Sequence, residues 1–195
     1  MTTHSYRPIN TVLYPAGSPA EQSTSAVSWP AIWAGAIVAS GISLILLSLG
    51  TGFGLIAASP WPGLGPKPET FTIAAGLWLV FTQWIASLFG GYVAGRTRTR
   101  WNSLHTDEVF FRDTVHGLLT WALATTVIAG VAIISSSLAA GAVAPSEVPI
   151  SREAADAARE VASKFAIFTG ISLIVGAFIA CVAAAFGGHV RDDHP

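Results

Sequence analysis

The sequence predicts an all-α membrane protein with four transmembrane helices in a bundle. Three observations predict it. First, only 11% of the 195 residues are charged while 52% are hydrophobic; a soluble domain carries about 25% charged residues. Second, the charge is confined. Residues 22–66, 70–95, 114–146 and 165–190 contain no Asp, Glu, Lys or Arg. Each stretch exceeds the roughly 20 residues of helix that cross a hydrocarbon core about 30 Å thick. Third, no period-two alternation appears. A barrel would need many such strands, and lipid admits only helices or closed barrels. A soluble globular enzyme, a disordered chain and a disulfide scaffold are thereby excluded. The net charge of −1 gives nucleic acid no basic surface, and one cysteine, Cys181, builds neither a disulfide nor a multi-cysteine metal site.

The elements follow in chain order. Residues 1–28 are polar and rich in Pro, Ser and Thr, with no basic start followed by an apolar core. They read as a tail rather than a signal peptide, and the first span then serves as an uncleaved anchor. Ser28, Trp29 and Pro30 open that span, serine as a cap and proline in the first turn. It covers about 29–58. Pro60, Pro62, Pro66 and Pro68, with Gly63 and Gly65, form a non-helical turn. The second span covers about 70–95 and ends at Arg96, Arg98 and Arg100. The third covers about 112–143 and is closed by Pro145 and Pro149. Ser151 caps an alanine-rich helix over 151–163 that leads into the fourth span, 164–188. Residues 189–195 read as a short tail.

The second span ends Phe89-Gly90-Gly91-Tyr92-Val93 and the fourth ends Phe186-Gly187-Gly188-His189-Val190. Ser28-Trp29 and Thr120-Trp121 rhyme near the starts of the first and third. Two readings stand: a duplicated helical hairpin, or the frequent use of Gly and Trp at membrane helix ends.

Lipid is as apolar as leucine, so helices associate through close backbone approach and interhelical hydrogen bonds. Small residues four apart mark the contact faces. Ala31, Gly35, Ala39 and Ser43 form one on the first span. Ser87, Gly91 and Gly95 form one on the second, which extends back one turn to Gln83. Gly176, Ala180, Ala184 and Gly188 form one on the fourth. An unpaired amide at mid-span costs several kcal/mol, roughly, so Gln83 is expected to bond to a neighbouring helix. The Gly50-x-Gly52-x-Gly54 run lies inside an apolar span, where packing or flexibility explains it better than a nucleotide loop.

No ionisable residue sits deep in a span, which argues against proton coupling and intramembrane acid–base catalysis. Ionisable groups gather instead at one face: His105, Asp107, Glu108, Asp113, His116 and His189. Asp113 and His116, three apart, share a helix face. Their spacing matches no metal motif, and Ser103, His105 and Asp107 lack a nucleophile elbow. No catalytic, cofactor or metal residues are therefore assigned. With four spans, the termini share a side with Arg7, Arg96, Arg98, Arg100, Arg112 and Arg191; the other side carries Lys67, Arg152, Arg159 and Lys164. The excess places both termini in the cytoplasm, with Trp29, Trp33, Tyr92 and Trp61 as interfacial anchors. Arg96, Arg98 and Arg100 act as that orientation signal and as contacts to anionic lipid or a partner.

Three segments carry a family resemblance: Ser28-Trp29-Pro30-Ala31-Ile32-Trp33-Ala34-Gly35-Ala36, Phe89-Gly90-Gly91-Tyr92-Val93-Ala94-Gly95-Arg96 and His116-Gly117-Leu118-Leu119-Thr120-Trp121-Ala122-Leu123-Ala124-Thr125. In this order they resemble the small bacterial membrane proteins often labelled PhnA-like, over about residues 28–130. The resemblance implies a multi-span protein of the bacterial inner membrane and assigns no activity. The zinc ribbon that the label suggests cannot be built from one cysteine.

These readings lead to an expected function. It is a non-catalytic integral membrane protein without cofactor, acting as an accessory or scaffold subunit or a homo-oligomer through small-residue packing. Its partners are the bilayer and a larger membrane complex or a second copy. A passive channel or transporter for a small solute is the alternative, supported by Ser40, Ser43, Thr125, Thr126 and Ser135–Ser137 in uncharged spans. An enzyme around Asp113, His116 and His189 is the third.

Overall fold

The computed structural model describes residues 25–59, 61, 64–101, 105–142 and 151–193. The expected tail up to residue 24, the turn residues Pro60, Pro62 and Gly63, Ser103, Pro145 and Pro149, and the last two residues lie outside the described residues. Four helices make up the fold: α1 (Trp29–Ala57), α2 (Pro68–Thr97), α3 (Thr106–Ala142) and α4 (Arg152–Asp193). No strand occurs among the described residues. All four helices are long and apolar enough to cross a bilayer, which makes this a multi-pass membrane protein built as an all-α bundle.

Local chemistry sets the helix ends. Pro30 occupies the first turn of α1, where its missing N–H costs nothing. The Ser28 hydroxyl does not cap α1, contrary to expectation. Its carbonyl accepts from the amides of Ala31 and Ile32, and its own N–H is drawn away to His116. Ser151 does cap α4, its hydroxyl accepting from the Ala154 N–H at 3.1 Å. The 151–163 helix and the fourth span form one continuous helix. At its other end, α4 runs to Asp193, past the tail boundary expected at residue 189. Arg100 holds this last turn by donating to the carbonyls of Arg191 and Asp192 at 3.0 and 2.9 Å. Likewise α3 begins at Thr106, inside the expected polar loop, with Asp107 and Glu108 in its first turn, where the helix dipole favours acids.

We call the end holding Trp29, Thr97, Thr106 and Asp193 basal and the opposite end distal. α2 packs against both α1 and α4, and α3 also packs against both; α1 and α4 do not meet. Parallel α2 and α4 keep register along their length: Gly76 faces Phe168, Gly91 faces Ala180 and Gly95 faces Ala184.

The interior is built from small residues. Ala31, Ala36, Ala39, Ala86, Ala124 and Ala180 are buried, whereas Ile37, Leu44, Ile133, Ile174 and Phe178 are exposed. A soluble bundle would be arranged the other way. In lipid the large side chains gain nothing by turning inward, and small ones let backbones touch.

The bundle tapers. Basally, Gly35 of α1 meets the Gly90 carbonyl and the Thr120 methyl, so three helices converge. Gly91 and Gly117 both lie against the Ala180 carbonyl, and Gly95 against that of Ala184. A methyl on any of these glycines would overlap backbone that cannot give way. Distally, α3 residues 131–138 are all exposed. An apolar groove of about 660 Å³ opens there between α1 and α2, lined by Phe53, Phe71, Trp78 and Phe165. Trp78 ties its two walls together: its indole N–H donates to the Leu46 carbonyl at 2.9 Å, and its ring lies over Gly50. Gly54 faces Phe71, whereas Gly52 meets nothing within 4 Å. The glycine run is therefore a packing surface at two of its three positions.

Candidate functional site

Two features at successive levels of the bundle carry most of its polar chemistry. The lower is a charged latch at the basal end. Arg98 follows α2 immediately, and its side chain has no solvent exposure. Its Nε and Nη2 both donate to the Asp113 carboxylate of α3, the second bond being 2.9 Å. Nη2 also donates to Asp192 of α4 at 2.8 Å, and Nη1 to the Thr99 carbonyl at 3.1 Å. One guanidinium thus joins the ends of three helices. Its planar fork suits this role, since it presents several donors in fixed directions. Burial works against the cation, but the hydrogen bonds and charges of Asp113 and Asp192 outweigh it and raise Arg98 above its ordinary range. Gly188 makes room: a methyl there would overlap the Asp113 carboxylate.

The fourth helix joins through His116. The Ser28 N–H donates to His116 Nε2 at 2.7 Å, so Nε2 carries a lone pair. Nδ1 must then hold the proton, and it donates to the Arg112 carbonyl at 2.6 Å. Both ring nitrogens are engaged by the backbone. Trp101 packs on this histidine, with ring centroids 5.6 Å apart, and takes the guanidinium carbons of Arg98 and Arg112 at 4.5 and 5.3 Å from its ring.

The upper feature is a cavity of about 270 Å³ between all four helices. Its basal wall is the buried convergence of Gly90, Gly91 and Thr120; its distal rim includes the exposed residues Ala129, Ala132 and Thr169. Ser43, Thr82, Gln83, Ser87, Trp121 and Ser172 line it, with apolar wall supplied by residues such as Leu79, Ala124 and Leu173. Among the described residues no ionisable side chain lines it.

The residues read as packing faces are placed as follows. Ala31, Gly35, Ala39 and Ser43, then Ser87, Gly91 and Gly95, then Gly176, Ala180, Ala184 and Gly188 are all buried. Gln83 corrects an expectation. Its side chain touches Gly176 and lines the cavity, yet it makes no hydrogen bond with any described residue. The arginine cluster needs a second correction. Arg98 is locked inside the protein and Arg100 is spent on the end of α4, which leaves Arg96 with no described ion pair. Arg98 is therefore not placed as a lipid contact, whereas Arg100 is exposed. Asp113 and His116 do lie together, but their bonds go to Arg98 and to backbone, while His189 is exposed and pairs with Asp193 at 3.2 Å. Among the described residues no three metal-binding side chains converge.

Sequence reasoning missed the partners of the latch. Nothing in spacing joins Arg98 to Asp113, Asp192 and Trp101, which come from three different elements. It also missed Thr82 and Ser172, whose only signal was a polar residue in an apolar span. No family model, curated protein or solved structure matches this chain.

Proposed function

We propose that this chain is a non-catalytic membrane protein that works as a structural subunit, holding a partner along the distal part of α4. The observation that carries this is the state of residues 152–164. All are exposed, and no other described helix covers them. At 1.5 Å per residue they extend about 20 Å. Their pattern is amphipathic: Arg152, Asp156, Arg159 and Glu160 fall on one side, and Ala154, Ala158 and Val161 on the other. This part of α4 continues a spanning helix, and its uncovered alanine face would let a partner helix approach closely. The small-residue faces of the spans are largely consumed within the bundle, which moves the partner surface to this stalk.

The test is cross-linking in native membranes with Ala158→Cys on a Cys181→Ser background, read by mass. A discrete dimer or a single adduct with another chain supports the reading. A monomer that carries no adduct, and that purifies alone in mild detergent, overturns it. We further propose that the protein sits in a bacterial inner membrane with both termini cytoplasmic. The arginines of the basal end and the similarity to PhnA-like membrane proteins support this. A passive channel is the weaker reading, because the cavity ends basally on the buried Gly90, Gly91 and Thr120.

A further inference from the structure

We infer that the 270 Å³ cavity is a binding site for a small uncharged molecule with an apolar body and one or two hydroxyl or carbonyl groups, the class of neutral alcohols and phenols. This inference stands apart from the assembly reading and rests on different residues.

The hydroxyls make the case. A serine or threonine in a membrane helix ordinarily satisfies itself by donating to a carbonyl three or four residues back. Ser48, Thr51, Thr97, Thr126 and Ser137 all do so here, at 2.8 to 2.9 Å. Ser43 and Ser87 do not. Each is buried, 8% and 4% exposed, and its hydroxyl makes no hydrogen bond with any described residue. Both line the cavity, where Thr82, Thr120 and Ser172 also stand but with their unpaired hydroxyls sealed in the packing. The Gln83 amide beside them is also unpaired among the described residues. Unpaired polar groups are costly in a bundle core. Gathered at one hollow, they amount to donors and acceptors held ready for an occupant.

The remaining wall defines that occupant. Leu79, Ala124, Ile128 and Leu173 are apolar, so a molecule polar throughout would lose hydration without recompense. The absence of an ionisable lining residue disfavours a charged one. Size sets the scale: an apolar cavity of roughly 150 Å³ takes up benzene, so this one holds a ring or short chain bearing a polar group. The blind basal end makes it a place of residence rather than passage.

Benzyl alcohol is the probe, with toluene and benzoate as comparators. Binding is measured by ligand-observed NMR on the full chain in nanodiscs, against empty nanodiscs. Benzyl alcohol should bind, toluene about tenfold more weakly, and benzoate not at all; one or two net hydrogen bonds are worth about that factor. The double variant Ser43→Ala, Ser87→Ala should bind benzyl alcohol about tenfold more weakly and toluene unchanged. Its melting temperature should be equal or higher, since it removes two unpaired hydroxyls and little volume. Three results would each overturn the inference: no binding above empty nanodiscs, equal binding of alcohol and toluene, or an alcohol affinity indifferent to the double variant. A fall in melting temperature would do so as well, because the hydroxyls would then already be serving the fold.

Discussion

Replacing Arg98 by alanine tests the latch most directly. The substitution leaves Asp113, 2% exposed, without its cation. Removing one member of a buried pair costs about 3–5 kcal/mol, because the remaining charge keeps its desolvation penalty and loses its compensation. Asp192 offers an internal control. It bonds to the same guanidinium, but its side chain is 35% exposed. Asp192→Asn therefore touches a pair that water already screens, and about 1 kcal/mol or less is expected. The double variant Arg98→Met, Asp113→Leu removes both charges and keeps apolar volume, and it should recover most of the Arg98→Ala loss. Denaturant unfolding in mild detergent, followed by tryptophan emission, measures all three. Equal losses for Arg98→Ala and Asp192→Asn would refute the reasoning. So would a double variant less stable than Arg98→Ala, since the pair would then be stabilising in itself rather than costly only when broken.

Two further substitutions probe the packing. Gly95→Leu should destabilise the bundle by about 1–3 kcal/mol or more in the same assay, because the Ala184 backbone in its way cannot rotate aside. Gly52→Ala, with nothing within 4 Å, should stay within about 1 kcal/mol of the parent; similar losses for the two would dismiss close approach as the reason for glycine. Trp78→Phe removes the bond to the Leu46 carbonyl and should cost about 0.6 kcal/mol, at most roughly 2. Unaltered stability there would mean that the indole bond contributes nothing to holding α1 against α2.

Much of the fold was legible because the bilayer imposes simple rules. A run without charge must be helical and must span, so 70–95 could be read directly, and the helix exceeds it by only two residues at each end. The larger departures, at residues 106–111 and 189–193, have one cause. Both segments are polar and look like loop when read locally, yet both are stabilised as helix near the latch, by Arg112 bonded to Glu108 and by Arg100 bonded to the last turn of α4. The candidate site was less legible. Asp113 and His116 stood out as ionisable neighbours at one helix end, and Gln83 as a mid-span amide. Their partners did not, because Arg98, Ser28 and Asp192 lie 15 to 94 positions away along the chain from the groups they bond.

The sequence by itself determined that this protein spans a membrane four times and that its contact faces are small residues. Both follow from solvent physics: lipid penalises charge and unpaired backbone and is indifferent to where leucine points. Only the tertiary structure decided how those faces are used. It sent Gly91, Gly95 and Gly117 onto the backbone of α4, turned Arg98 from a lipid contact into a three-helix tie, and left Thr82, Thr120 and Ser172 unpaired around a hollow. A hydroxyl's periodic position says which way it faces. Whether it finds a partner depends on where another helix stops, and no local pattern encodes that.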